Sequence, residues 1–208
     1  MTTTTDSDLV EVMHALRVKG LASDAVLAAM TALEPTTLSD VVDTIVDAGW
    51  ANRREGRMAG TMLTPAGRAR YDELRAERSL DDAQSRTVAE LYAAFLPINT
   101  DFKQICAAWQ MRDDTTPNDH TDAEYDSAVI ADLAAGHDRV NAILTTAAEG
   151  MPRWSRYQVR LDSALAKVRG GDKAAFARPM YDSYHDIWME LHQDLLLTAG
   201  RERGTDDE

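Results

Sequence analysis

Five histidines, a single cysteine and 35 acidic side chains supply most of the groups in this chain that could do chemistry. Asp182, His185, Met189 and His192 recur at steps of three, four and three, a spacing that lines one face of a helix. On that face Asp182 can accept a ring N–H of His185, an arrangement that orients imidazoles beside metals and catalytic bases. His185 and His192 lie two turns apart, about 10.5 Å along a helix axis, too far to ligate one metal. The His-Glu-x-x-His spacing of metalloproteases is absent. A ligand or metal site therefore needs His120 and His137 to converge on Asp182 and His185, with Asp119, Asp122 or Asp126 nearby. Three histidines with carboxylates suit zinc, nickel or iron. The competing expectation is plainer: a lone histidine on an apolar face is ordinarily a hydrogen-bonded core residue. Glu190 and Asp194, an i, i+4 carboxylate pair, read as part of a solvated face rather than as an acid/base dyad.

Other catalytic patterns are missing. The chain has no P-loop, no Gly-x-Ser-x-Gly elbow and no dinucleotide fingerprint. Cys106 sits among Ile105, Ala107, Ala108 and Trp109, where a buried, inert thiol is expected. The expectation is a protein without catalytic residues or cofactor.

A second group of residues suggests contact with a polyanion. Arg53, Arg54 and Arg57 cluster within five positions of a chain whose 22 basic residues face 35 acidic ones, for a net charge of −13. The excess is unevenly spread: residues 1–78 carry 9 basic and 12 acidic groups, residues 79–208 carry 13 and 23. Non-specific binding to nucleic acid or anionic membrane is disfavoured overall, yet a local basic patch in the first part can approach phosphate. One cysteine permits no internal disulfide, no apolar run approaches the length of a membrane span, and the first residues lack a signal-peptide pattern. A cytoplasmic location is expected.

The elements that would carry these arginines follow from periodicity and punctuation. Leu9, Val12, Met13, Leu16 and also Leu21 keep helical spacing up to the stop at Gly20. Ser23 or Asp24 caps a second helix bearing Val26, Leu27 and Met30. After the Glu34-Pro35-Thr36-Thr37 turn, Leu38, Val41, Val42, Ile45 and Val46 mark a third helix, ended by Gly49. Trp50 to Arg54 and Thr61 to Leu63 read as two strands around a turn at Glu55-Gly56-Arg57, and Thr64-Pro65 starts another helix. Three helices followed by a basic hairpin is the order of a winged helix-turn-helix.

The stretch Asp47-Ala48-Gly49-Trp50-Ala51-Asn52-Arg53-Arg54-Glu55-Gly56-Arg57, followed by Leu63-Thr64-Pro65-Ala66-Gly67-Arg68, resembles the wing of MarR-type and PadR-type bacterial regulators. The resemblance implies a DNA-binding domain over 1–78. Its third helix would read bases through Thr36, Thr37 and Ser39, and Arg53, Arg54 and Arg57 would hold phosphates or the minor groove. The third helix departs from the pattern: it offers Asp40, Asp43, Thr44 and Asp47 but none of the Lys, Arg, Asn or Gln side chains that make the commonest base contacts.

Residues 79–208 show no strand signal. Leu91, Phe95, Ile98, Phe102, Ile105 and Trp109 form one seam, interrupted by Pro97, which should kink the helix. Val129, Ile130, Leu133, His137, Val140 and Leu144 mark a second helix, and Trp154, Tyr157, Leu161, Leu165 and Val168 a third. Asp172 caps a short turn, Pro179 opens a last helix with Tyr184, Trp188, Leu191 and Leu195 inward, and Arg201 to Glu208 reads as a frayed tail. The expected architecture is mainly α, with a winged helix-turn-helix and two-stranded wing ahead of a four-helix bundle. The Asn118-Asp119-His120-Thr121-Asp122 stretch, and Asp182-Ser183-Tyr184-His185 running into Trp188-Met189-Glu190-Leu191-His192, resemble actinobacterial winged-helix proteins with a helical C-terminal domain. Some members of that group stand alone, and others resemble the tail of pyruvate, phosphate dikinase-type proteins. Together these point to a transcriptional regulator that binds double-stranded DNA, with the bundle for dimerisation or sensing of a small-molecule effector. The alternative is an accessory module for a phosphoenolpyruvate- or pyruvate-utilising enzyme. Because the winged domain begins almost at Met1, a homodimer is expected to use the seams after Leu80.

Overall fold

A computed structural model describes residues 5–201, apart from the side chain of Arg57, and divides the chain into two compact units, 1–81 and 82–208. The division falls three residues beyond the boundary the sequence suggested. The chain is mainly helical, with one small antiparallel sheet. No single helix among the described residues is long and apolar enough to cross a membrane.

In the first unit, α1 (Asp6–Lys19) starts at Thr5, whose hydroxyl accepts the Asp8 amide while the Asp8 carboxylate accepts the Thr5 amide. Gly20, at φ 82°, turns the chain into β1 (Leu21–Ala22). Leu21 therefore belongs to a strand and not to the first helix. Ser23 caps α2 (Asp24–Thr31), Ala32 adopts a left-handed conformation, and α3 (Pro35–Asp47) begins with its proline at the first helical position. The chain bends by 112° between α2 and α3 across three residues. β2 (Ala51–Arg54) and β3 (Gly60–Leu63) are joined through a 3₁₀ turn at Gly56–Met58, and α4 (Pro65–Ala76) follows. The sheet order is β1-β3-β2, so the expected two-stranded ribbon gains a third strand, with Leu21 opposite Met62 and Ala22 opposite Thr61. Leu16, Leu27, Val41, Ile45, Leu63, Tyr71 and their neighbours close one apolar core beneath these elements.

The wing-like motif is held at its root. Thr64 Oγ1 donates to Gly49 O at 2.9 Å and accepts the Gly67 amide at 3.0 Å, and the Thr64 amide bonds Trp50 O at 2.9 Å. A Cβ on Gly67 would stand 1.9 Å from Trp50 O, so only glycine admits this approach.

The second unit contains α5 (Asp82–Gln110), α6 (Ala123–Gly150), α7 (Ser155–Arg169), α8 (Ala174–Ala177) and α9 (Tyr184–Ala199). α5 continues through Pro97 without a break, with the proline turned to solvent. α9 begins later than Pro179 suggested. Met180 and Asp182 both have positive φ, and Ser183 is the residue that caps the helix by accepting the Asp186 amide. The two aromatic seams face each other: Trp188 lies 4.2 Å from Phe102 and 5.2 Å from Phe95, ring to ring. The Trp188 indole N–H donates to buried Asn99 at 2.9 Å. The two seams pack on each other inside this unit, with Ile105 the one of their residues left part-exposed.

Candidate functional site

On the first unit, α3 presents Thr36, Ser39, Asp40, Asp43, Thr44 and Asp47 to solvent, while Leu38, Val41, Val42 and Ile45 anchor its other face. Thr37 is half-buried. The amphipathic pattern leaves only polar and acidic side chains for contact. Arg53 and Arg54 project from β2 and are exposed; the Arg57 side chain lies outside the described residues. Arg53 reaches back to α3 and α2, with Nη1 3.3 Å from Asp43 and Nη2 4.0 Å from Asp24. Both pairs are exposed, so each is weak and salt-sensitive. Arg54 has no carboxylate partner among the described residues.

The four residues expected to meet in the second unit have four separate settings. His120, at φ 60°, sets its Nδ1 3.0 and 3.2 Å from the two oxygens of buried Asp126. Its ring lies 4.3 Å from Trp109, which stacks on Phe176 at 4.2 Å. Asn118 donates to Asp126 at 2.9 Å, and Lys173 lies 3.2 Å from the same carboxylate and donates to His120 O at 2.6 Å. Burial pushes the Asp126 carboxyl up, but the hydrogen bonds from Asn118, His120 and Lys173 outweigh it and hold the group below the usual range. His137 instead places Nδ1 3.3 Å from the Tyr184 hydroxyl and Nε2 2.9 Å from Asp162. His185 stacks at 6.1 Å on Phe102, and burial lowers its pKa despite Asp186. Asp182 does not lie on α9 and does not orient His185; it accepts from Arg160 at 2.5 Å. Among the described residues, no group of three or more His, Cys, Asp or Glu side chains could hold a metal ion.

A different charged constellation occupies the interior. Arg153, Tyr157 and Arg160 succeed one another at steps of four and three; Glu190, Asp194 and Thr198 do so at steps of four along α9. Arg160, 6% exposed, donates to Glu190, 4% exposed, at 2.5 Å. Arg153 donates to Asp194 at 2.8 Å and to Thr198 at 2.5 Å, and the Tyr157 hydroxyl donates to Asp194 at 2.9 Å. Glu190 and Asp194 are thus buried and matched to guanidiniums, not solvated. Burial and the neighbouring charges of Asp194 and Glu190 raise the Tyr157 phenol well above its ordinary value. Burial would lower the Arg160 pKa, yet Glu190 and Asp182 raise it, so the guanidinium keeps its charge. Committed to one another, these groups tie α7 and the turn before it to α9 and leave neither carboxylate as a free acid or base. The two spacings were the signal for this network in the sequence. Cys106, on α5, has its thiol pushed up to about 12 by burial.

No protein-family model matches the chain, and no curated protein or solved structure matches it.

Proposed function

We propose that residues 1–81 form a winged helix-turn-helix that binds double-stranded DNA, and that the chain is a transcriptional regulator. The observation that carries the reading is the α2–α3 pair: two helices joined by three residues with a bend of 112°, in the range of helix-turn-helix units, followed by a hairpin that bears exposed arginines. In this reading α3 faces the major groove through Thr36, Thr37 and Ser39, and Arg53, Arg54 and Arg57 supply phosphate or minor-groove contacts. The helical unit then serves effector sensing or dimerisation, and no reaction is assigned to the protein. Selection from a random duplex pool at low salt tests the function: an enriched sequence is expected, and no enrichment would reject it. Replacing Arg53, Arg54 and Arg57 by alanine should also reduce the slope of log affinity against log salt, by about one for every phosphate those side chains neutralise. An unchanged slope in a folded triple variant removes the wing from the interface.

The Arg53–Asp43 pair and the acidic surface of α3 favour a second reading, in which the same fold engages a protein as an accessory module. Its partner class, from the resemblance, is a phosphoenolpyruvate- or pyruvate-utilising enzyme. A duplex selection that fails at every salt concentration, together with direct binding to such an enzyme, would decide for it.

A further inference from the structure

A cavity of about 330 Å³ opens at the tip of the small sheet, lined by Ser23, Asp24, Arg53, Arg54, Gly60 and Thr61 together with Ala59. It sits at the start of α2. Ser23 Oγ takes the Val26 amide at 3.3 Å and Ser23 O takes the Leu27 amide at 2.9 Å, which leaves the amides of Asp24 and Ala25 without an acceptor among the described residues. Thr61 supplies a second, independent feature. It is fully buried, and its hydroxyl has no hydrogen-bond partner among the described residues. A hydroxyl taken out of water and left unbonded is unfavourable unless something arrives to pair with it. Thr61 stands opposite Arg53 in the β2–β3 register, so both side chains occupy one face of the sheet. The contacts of Arg53 with Asp24 and Asp43 show that this face turns toward α2 and α3.

We infer that this cavity is a seat for a small phosphate-type oxyanion, such as a phosphomonoester or a diphosphate. The helix start at Asp24, a buried hydroxyl and two guanidiniums line the cavity as donors, and the one carboxylate among them, that of Asp24, is exposed and stands 4.0 Å from Arg53, an arrangement that an oxyanion can take over. The volume falls at the small end of ligand sites. The carboxylates of Asp24 and Asp43 are 69% and 58% exposed, and their long pairs with Arg53 are the interactions an oxyanion would displace. The inference rests on the DNA reading only for one consequence: a free ligand in this seat occupies the arginines the wing would offer to a backbone phosphate, so the two compete.

Calorimetric titration of the full chain with inorganic pyrophosphate at low salt tests the seat. Saturable one-to-one binding is expected, weakened about tenfold by Thr61→Val through removal of one hydrogen bond to a charged group, retained by Thr61→Ser, and abolished by Arg53→Gln with Arg54→Gln. Those arginines are exposed, so their double variant tests the seat even where Thr61→Val fails to fold. No saturable binding by the wild type at millimolar pyrophosphate overturns the inference, as does unchanged binding by the double arginine variant. Fluorescence anisotropy with a labelled duplex separates the two sources of phosphate. Duplex binding without pyrophosphate binding overturns the free-ligand seat and leaves the DNA function standing. Pyrophosphate binding without duplex binding supports the seat and removes the DNA function.

Discussion

Arg160 keeps its charge inside the helical unit because Glu190 and Asp182 neutralise it from two sides. Removing one partner of such a pair strands the other. Arg160→Met should therefore destabilise the second unit by about 3–5 kcal/mol, whereas adding Glu190→Leu should recover most of that loss. Urea unfolding of the single and double variants measures both, and equal instability in the two would show that the pair contributes through packing rather than charge. A second residue-scale expectation concerns acid. The folded pKa of Asp126 is depressed from 3.8 and that of His185 from 6.5. In each case the stabilisation is complete above the ordinary value and is lost as pH falls through the folded one. The midpoint of unfolding should fall first below about pH 6.5 as His185 is forced to charge, and again below about pH 4 as Asp126 is protonated. His185→Gln should flatten the first step in denaturant titrations at pH 7.5 and 5.0; an identical slope in wild type and variant would exclude His185 as its source.

At the scale of elements, the sequence motif that most resembles a wing owes its spacing to backbone contact. Thr64 joins Gly49 to Gly67, and Gly67 lies against Trp50 O with no room for a Cβ. Gly67→Ala should destabilise the first unit by about 1–3 kcal/mol, the cost of overpacking, while Gly136→Ala in α6 should gain up to about 1 kcal/mol. At Gly136 an added Cβ meets only Ile105 Cδ1, at 3.7 Å. Thermal melts of the two variants should move in opposite directions; parallel shifts would discount the close approach. The helices of the first unit were legible because Leu38, Val41, Val42 and Ile45 repeat as a helix must. β1 was not, because two residues cannot display an alternation and its pairing lies some forty residues away on β3. The start of α9 was misplaced for a related reason: Pro179 fits a first helical turn, and only the left-handed backbone of Met180 and Asp182 shows that Ser183 begins the helix. The histidine site failed and the arginine network went unseen on the same ground. Spacing places residues on one helix face, but whether that face meets solvent, a phenol or a guanidinium depends on the helix packed against it.

For the whole molecule, charge and apolar surface are divided between the units. The carboxylate excess belongs chiefly to the second unit: residues 1–81 carry 9 basic and 13 acidic groups, a net charge of −4 against −13 for the whole chain. The seams of α5 and α9 close on each other, and among the described residues Met58, Val159, Met180 and Tyr181 are the large hydrophobic side chains left exposed. The placement of Cys106 also makes the chain its own stopwatch. Its thiol, raised to about 12, is almost wholly protonated at neutral pH, and thiolates are the species that alkylating reagents trap. The side chain is only part-buried, so labelling of the folded chain runs through its small thiolate fraction, and opening of the second unit speeds it by restoring the ordinary acidity. Maleimide uptake at pH 7.5 should run slower in the native chain than in urea and should quicken in Arg160→Met, as the bundle opens more often. Uptake as fast in the native chain as in the unfolded one would mean that the fold does not suppress the thiolate.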